Sequence, residues 1–313
     1  MSSMTRPSTG AVVTSPPAAA NPPRTRKRRV DPLYYFFLFP SLAIFTLAVT
    51  LPAVLGFVYS FTNSVGFGDF EFIGIRNFIA VFRDDGILGS YGFTLAFSLV
   101  TVILVNVVAF FLALGLTSRI RFRAALRTVF VIPMVISGIV IAFVFQYLFS
   151  NSLPLAGQGL GIEPLATSIL ANPDLAWLAI VLVTAWQSIP SAMLIYIAGL
   201  LTVSPEVYEA SSIDGATPWH NLRHITLPLV AGYAVINTVL GFKNYLNTYD
   251  IIVGLTDGGP GVSTRSVAMA IFRGFEGGDY AYQMANAVIF FLISVTIAVI
   301  QLRFTRGKGG IAA

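Results

Sequence analysis

Six apolar runs, each too long for a buried helix of a water-soluble domain, are separated by shorter polar stretches along this chain. They are Leu33–Phe61, Tyr91–Thr117, Thr128–Phe149, Leu175–Leu201, Ile225–Tyr249 and Gln283–Phe304. A membrane-crossing helix needs about 20 mostly apolar residues, so the pattern predicts six transmembrane helices and an all-α integral membrane protein. A closed β-barrel is excluded because short alternating strands are absent. Pro40 and Pro52 fall inside the first run and predict kinks, with neighbouring helices absorbing the freed carbonyls. That run exceeds the apolar core of a signal peptide and lacks a small-residue cleavage site, so it reads as an uncleaved helix.

Composition agrees with the pattern. The chain is 56% hydrophobic and 11% charged, with a mean hydropathy of +0.79, whereas soluble domains carry about 25% charged residues. It has no cysteine, which excludes disulfides, thiolate metal sites and cysteine nucleophiles. The net charge of +5 raises nucleic acid as a partner, but the basic residues flank apolar runs rather than lining a soluble face. Arg6, Arg24, Arg26, Lys27, Arg28 and Arg29 precede the first run. Arg119, Arg121, Arg123 and Arg127 separate the second from the third, Arg223 separates the fourth from the fifth, and Arg303, Arg306 and Lys308 close the chain. That places 14 of the 19 basic residues on one side, against Arg76, Arg83, Arg265 and Arg273 on the other, with Lys243 inside a run. The positive-inside rule then puts both termini in the cytoplasm. The Pro-, Ser- and Ala-rich start predicts a disordered basic tail over 1–30, followed by a membrane domain over 31–306 and a short cytoplasmic tail over 307–313.

Among the polar stretches, residues 204–224 are unusually well punctuated. Ser204-Pro205 is a helix start, Asp214-Gly215 a stop, and Thr217-Pro218 a second start leading towards His224. Leu227-Pro228 then leads into the fifth run. Glu206 and Glu209, three apart, share a face. A helix lying on anionic lipid carries Lys and Arg; this one carries carboxylates, which favours a protein partner over the bilayer surface.

The pattern Glu209-Ala210-Ser211, with Gly215 six residues after the glutamate and Ile225-x-Leu227-Pro228 beyond it, resembles the signature loop of permease subunits of bacterial binding-protein-dependent ABC importers. The family's usual start is Glu-Ala-Ala, so Ser211 is a small departure. The longer stretch Pro205–Trp219, Ile197–Leu200, Leu255–Pro260, Gly74-x-x-Asn77-Phe78 and Ile132-Pro133 are similar to the carbohydrate-uptake branch, which includes maltose, glycerol-phosphate and multiple-sugar permeases. The resemblance spans about Leu33–Phe304. It implies the type I importer permease fold and a multi-pass subunit of the bacterial inner membrane. It further implies that the 204–224 loop is a coupling helix, with Glu206, Glu209, Ala210, Ser211, Asp214 and Gly215 meeting an ATPase. The implied partners are a homologous second permease, two ATP-binding subunits and an extracytoplasmic solute-binding protein. Asp257-Gly-Gly-Pro-Gly261, a turn in its own right, would belong to an outer loop within reach of that binding protein.

This chain has no Gly-x-x-x-x-Gly-Lys-Ser/Thr segment, so ATP and Mg would be handled by a partner, and no cofactor, metal or catalytic residue is expected here. Polar residues inside spans face cavities or other helices. Gln187, Ser188 and Ser191 form one patch; Gly241, Asn244, Tyr245 and Thr248 follow i, i+3, i+4, i+7 spacing, with Asn237 further inward. Hydroxyls, amides and rings of this kind suit a neutral sugar; interhelical hydrogen bonding and close packing explain them equally well. His220 and His224 are at i, i+4 spacing without a third metal ligand. Lys243 and Asp250 make a poor proton path. An ion-coupled secondary transporter is the alternative, but it calls for midplane ionisable residues or broken helices in two repeated halves, neither evident in the pattern; a scaffold without transport would leave the polar faces as packing.

Overall fold

The structure is a computed structural model and describes residues 32–118 and 121–306. The expected tails at 1–30 and 307–313, and Arg119, lie outside the described residues. The described residues are mostly helical, and no β-strand occurs among them. Six helices are long and apolar enough to cross a membrane: Leu33–Tyr59, Asp85–Thr117, Gly138–Leu160, Pro173–Leu201, Pro218–Leu246 and Tyr280–Arg303.

The described residues fall into two compact units that divide between Leu51 and Pro52. The described part of the first holds α1 (Pro32–Phe45) and a wide π turn, Thr46–Thr50. Its aromatic side chains, Phe36, Phe37 and Phe39 among them, are exposed.

The second unit carries the core. In chain order its helices are α2 (Leu51–Tyr59, starting one residue before the boundary), α3 (Arg76–Val81), α4 (Asp85–Thr117), α5 (Arg123–Val135), α6 (Gly138–Tyr147) and α7 (Leu153–Leu160). They are followed by α8 (Pro173–Leu201), α9 (Pro205–Ile213), α10 (Pro218–Asn221), α11 (Leu227–Leu246), α12 (Asp250–Leu255), α13 (Val267–Glu276) and α14 (Tyr280–Arg306). Helix α4 packs along α8, and α11 lies against both. Small residues set the spacing: Ala109 and Ala113 on α4, and Ala176, Ala179 and Ala185 on α8, are all buried. In lipid, where apolar burial between helices gains little, such close approach lets dispersion hold helices together. Hydrogen bonds add to it. The Tyr196 hydroxyl donates to Asn106 Oδ1 at 2.6 Å, Asn237 Nδ2 to the Ala192 carbonyl at 3.1 Å, and the Tyr91 hydroxyl to Asn286 Oδ1 at 2.9 Å.

At the far end of α4 from Thr117, Asp84 caps the helix by accepting from the Ile87 N–H at 3.0 Å and from the Tyr282 hydroxyl at 2.9 Å. Burial works to raise its carboxyl pKa, but these bonds and the nearby Arg265 outweigh it and hold the group below its ordinary value. Asn77, from the Gly-x-x-Asn-Phe stretch, clamps the turn after α2 by donating to the carbonyls of Ser60 at 2.9 Å and Thr62 at 2.8 Å.

Two expected spans are corrected. The run Thr128–Phe149 is not one helix: it breaks at Ile136 and Ser137, both extended (ψ 138° and 137°), between α5 and α6. Ile, Ser and Gly in succession are weak helix formers, and Gln187 Nε2 donates to the exposed Ile136 carbonyl at 2.9 Å. The fifth span begins earlier than Ile225 and ends earlier than Tyr249. Helix α10, a π turn at Leu222–Thr226 and α11 run on without interruption, so the second short helix of the loop is the first turn of the span itself.

The reason lies in the proline. The chain contains Leu-Pro three times, at Leu51-Pro52, Leu153-Pro154 and Leu227-Pro228, and each follows a π turn: Thr46–Thr50, Leu148–Ser152 and Leu222–Thr226. In each, the leucine N–H bonds five residues back, to Thr46, Leu148 and Leu222. A proline lacks the N–H and crowds the carbonyl four residues back. Widening the preceding turn makes room for the ring, so the proline bends the helix without ending it.

Candidate functional site

Two regions of the second unit combine polar chemistry with a defined geometry. The first is the loop 204–224. Ser204 caps α9 by accepting from the Glu206 N–H, with Pro205 in the first turn. At the other end Gly215 is left-handed, with φ +77°. The Ala216 N–H bonds to the Ser211 carbonyl at 3.0 Å and the Gly215 N–H to the Ser212 carbonyl at 3.2 Å, which is the Schellman arrangement that closes a helix on a glycine. Thr217 then caps α10 by accepting from the His220 N–H at 3.2 Å. Glu206, Glu209, Ala210, Asp214 and Gly215 are exposed; Ser211 is buried and donates to the Tyr208 carbonyl at 2.9 Å. Beside the carboxylates stand two exposed apolar side chains, Ile213 at 87% and Trp219 at 66%. A residue the sequence reading missed ties the loop to the membrane helix: the hydroxyls of Tyr208 and Thr226 are 3.0 Å apart, and Thr226, buried inside the π turn, also donates to the Asn221 carbonyl at 3.3 Å. The rings of His220 and His224 stack at 4.2 Å.

The second region is a cleft of about 430 Å³ lined by Gly138, Gln187, Asn247, Thr248, Tyr249, Asp250 and Ile251. Gln187 is the middle residue of the 29-residue α8, about 21 Å from either end at 1.5 Å per residue. Two helix interruptions meet there. One is the break between α5 and α6. The other is Asn247–Tyr249, between α11 and α12. Asn247 Nδ2 donates to the Lys243 carbonyl at 2.8 Å and Thr248 Oγ1 to the Asn244 carbonyl at 3.4 Å. Side chains that take over backbone carbonyls in this way compete with helix continuation. Irregular backbone at membrane depth is tolerated where it lines a cavity or is buried in protein.

The expected path residues divide between cleft and core. Gln187 and Thr248 line the cleft. Thr248 does so because α11 has already ended at Leu246, so it does not continue the face of Gly241, Asn244 and Tyr245. Tyr245 is buried in the core, its hydroxyl directed at Ser188. Gly241 lies against the Tyr245 ring and Val102. Ser191 donates to the Ser188 carbonyl at 2.8 Å, and Ser191 and Asn244 are exposed outside the cleft lining. Asn237 serves packing through its bond to α8. The cleft's Asn247 and Tyr249 escaped the sequence reading because it extended the helix through them, Asp250 was weighed only with Lys243 as a proton path, and Ile251 was not singled out. The one signal was Asn-Thr-Tyr-Asp closing the run.

Beyond α12, Asp257 (φ 53°), Gly258 (φ 85°) and Gly261 (φ 61°) make a tight turn containing a cis Gly259–Pro260 peptide. Arg273 pairs with Asp257 across it, and Thr264 Oγ1 donates to the Gly259 carbonyl at 2.6 Å.

Comparison with known proteins places this architecture. The family described as binding-protein-dependent transport system inner membrane component matches residues 106–308. A probable starch degradation products transport permease of Thermoanaerobacterium thermosulfurigenes is 32% identical over 88% of this chain and 94% of its own length. The trehalose/maltose permease of Thermococcus litoralis is 30% identical over 90% and 96%. The sn-glycerol-3-phosphate permease of Yersinia pestis is 30% identical over 88% and 95%. In fold, the chain is similar to one from a bacterial ABC transporter that imports the acidic polysaccharide alginate, with a TM-score of 0.77 at 20% identity, covering 90% of this chain and 97% of that one. This multi-pass chain therefore belongs to the family of inner membrane permease components of binding-protein-dependent ABC transport systems.

Proposed function

We propose that this chain forms half of the path through which a sugar or oligosaccharide, delivered by an external solute-binding protein, enters a bacterial cell at the expense of ATP. The observation that carries the reading is the cleft at mid-helix, where α8 presents Gln187 and the break between α11 and α12 presents Asn247, Thr248 and the Tyr249 ring. Amides and hydroxyls exchange hydrogen bonds with sugar hydroxyls, and the ring covers C–H faces. Relatives named for starch degradation products and trehalose/maltose support the solute class.

The chain itself is a transport subunit. ATP and Mg are held by two partner subunits, one of which docks on the 204–224 loop through Glu206, Glu209, Ala210, Ser211, Asp214 and Gly215, with Ile213 and Trp219 as apolar anchors. A homologous second permease supplies the other half of the path. Both termini and this loop face the cytoplasm, with 31–306 as the membrane domain between tails 1–30 and 307–313. Closure of the ATPase pair would move α9; the Tyr208–Thr226 contact would carry that motion into α11, and α11 ends at the cleft. This is coupling between two sites through two global states. Family membership leaves the ion-driven alternative without support.

Purification of the tagged chain in gentle detergent tests the assembly. Recovery of an ATPase, a second permease and a binding protein is expected, and the ligand carried by that binding protein then identifies the solute. Recovery of the chain alone, even after crosslinking at position 209, would overturn the reading.

A further inference from the structure

Relatives named for sn-glycerol-3-phosphate, and the alginate transporter that shares this fold, show that anions travel through related permeases. Family membership therefore leaves the charge of this chain's cargo open, and the cleft bears on it. Its one charged lining residue is Asp250, an exposed carboxylate that begins α12 directly after the helix interruption. The charged groups around the adjoining Tyr249 are Asp250, Asp257, Glu276 and Arg273, and Arg273 is engaged by Asp257 in the one ion pair among the described residues. That leaves the carboxylates of Asp250 and Glu276 uncompensated at this edge. Lys243, one turn before the interruption, is exposed but is not among the lining residues.

From this arrangement we infer that Asp250 determines the charge selectivity of the path: the cargo is an uncharged saccharide, and uronates and sugar phosphates are excluded. The inference rests on the cleft being the path. A carboxylate accepts hydrogen bonds through two oxygens and donates none, so it suits a pair of neighbouring sugar hydroxyls. Gln187 and Asn247 supply amide donors and acceptors beside it. The same carboxylate repels an anion in a site bounded by low-dielectric walls, where charge interactions are stronger than in bulk water.

Because the chain has no cysteine, a single introduced thiol is the only one it carries, and the same assembly with the unsubstituted chain sets the background from the partner subunits. In the assembled transporter, Thr248→Cys is treated with two methanethiosulfonates of similar size, one bearing a sulfonate and one a trimethylammonium. Relative to a free thiol, the cationic reagent is expected to react at least about fivefold faster than the anionic one, and Asp250→Asn is expected to abolish that preference. ATP-driven uptake of the solute that co-purifies with the binding protein should stop once the thiol is modified. Equal reactivity of the two reagents, or a uronate or sugar phosphate bound to the purified binding protein, would overturn the inference. A charge preference at Thr248→Cys with uptake untouched by modification would instead overturn the reading of the cleft as the path, leaving the potential itself measured.

Discussion

Gly215 and Glu209 make separable contributions to the 204–224 loop. Gly215 holds a left-handed conformation at φ +77°, which costs other residues about 1 kcal/mol, and its open surroundings mean that the cost is backbone strain, not crowding. Gly215→Pro cannot reach this φ at all. It is expected to abolish ATP-driven uptake while membrane insertion, read by blotting of washed membranes, stays near normal; wild-type uptake would sink the coupling role. Glu209 is exposed and makes no structural hydrogen bond through its side chain that would explain a carboxylate there. Glu209→Lys should therefore leave thermal stability within about 0.5 kcal/mol yet lower uptake at least tenfold while the partner's ATP hydrolysis continues, as measured in proteoliposomes. The glycine's role was legible from Asp-Gly following a capped helix. Gln187 was legible as a polar residue inside a span, but its partner was not, because the Ile136 carbonyl lies 51 positions away and only folding brings them together.

Between elements, two contacts bear on the proposed coupling of loop to cleft. The Tyr208–Thr226 hydroxyl pair joins α9 to the wide turn that begins the fifth span. Tyr208→Phe keeps the ring and removes the bond. A loss of about 1 kcal/mol is expected, together with a drop in uptake per ATP hydrolysed; an unchanged ratio would remove this contact from the proposed coupling. Nearer the cleft, a Cβ at Gly254 on α12 would stand 2.5 Å from Ala142 Cβ on α6. Gly254→Ala is expected to separate these helices and cost about 1–3 kcal/mol, read as a lower melting temperature in detergent. Both spans misjudged from the pattern, the third and the fifth, failed for one reason. Hydropathy registers how apolar a segment is over a long stretch, so a break of two residues, Ile136 and Ser137, or of three, Asn247–Tyr249, is averaged into the apolar run beside it. What stops the helix is local hydrogen bonding by Asn247 and Thr248, or a distant amide at Ile136, and neither changes the hydropathy. The six crossings themselves were legible because each has an apolar run that lipid requires regardless of packing.

For the molecule as a whole, the asymmetry of basic residues makes orientation measurable. With the cysteine-free chain as background, a thiol at Glu209 should react with a membrane-impermeant maleimide only after the cells are opened, and one at Val262, exposed in the turn beyond α12, should react in intact cells. The reverse pattern would invert the topology and remove the loop from any cytoplasmic ATPase. Much of the apolar surface remains uncovered: no residue in the most apolar window of the Leu33–Tyr59 helix is buried, as befits a chain that crosses lipid. The three wide turns before Leu-Pro carry a consequence for how the chain tolerates change in length. A π turn holds one residue more than the α-helical turn it replaces, so each is a store of slack within an otherwise taut rod. Removing one residue from Leu222–Thr226 together with Pro228→Ala should restore a regular helix with every downstream side chain still on its original face. The same deletion in the middle of α8 would turn each later residue by about 100°. Length variation among functional variants of this chain should therefore collect at these three places, where a residue can be lost without the rest of the helix changing phase.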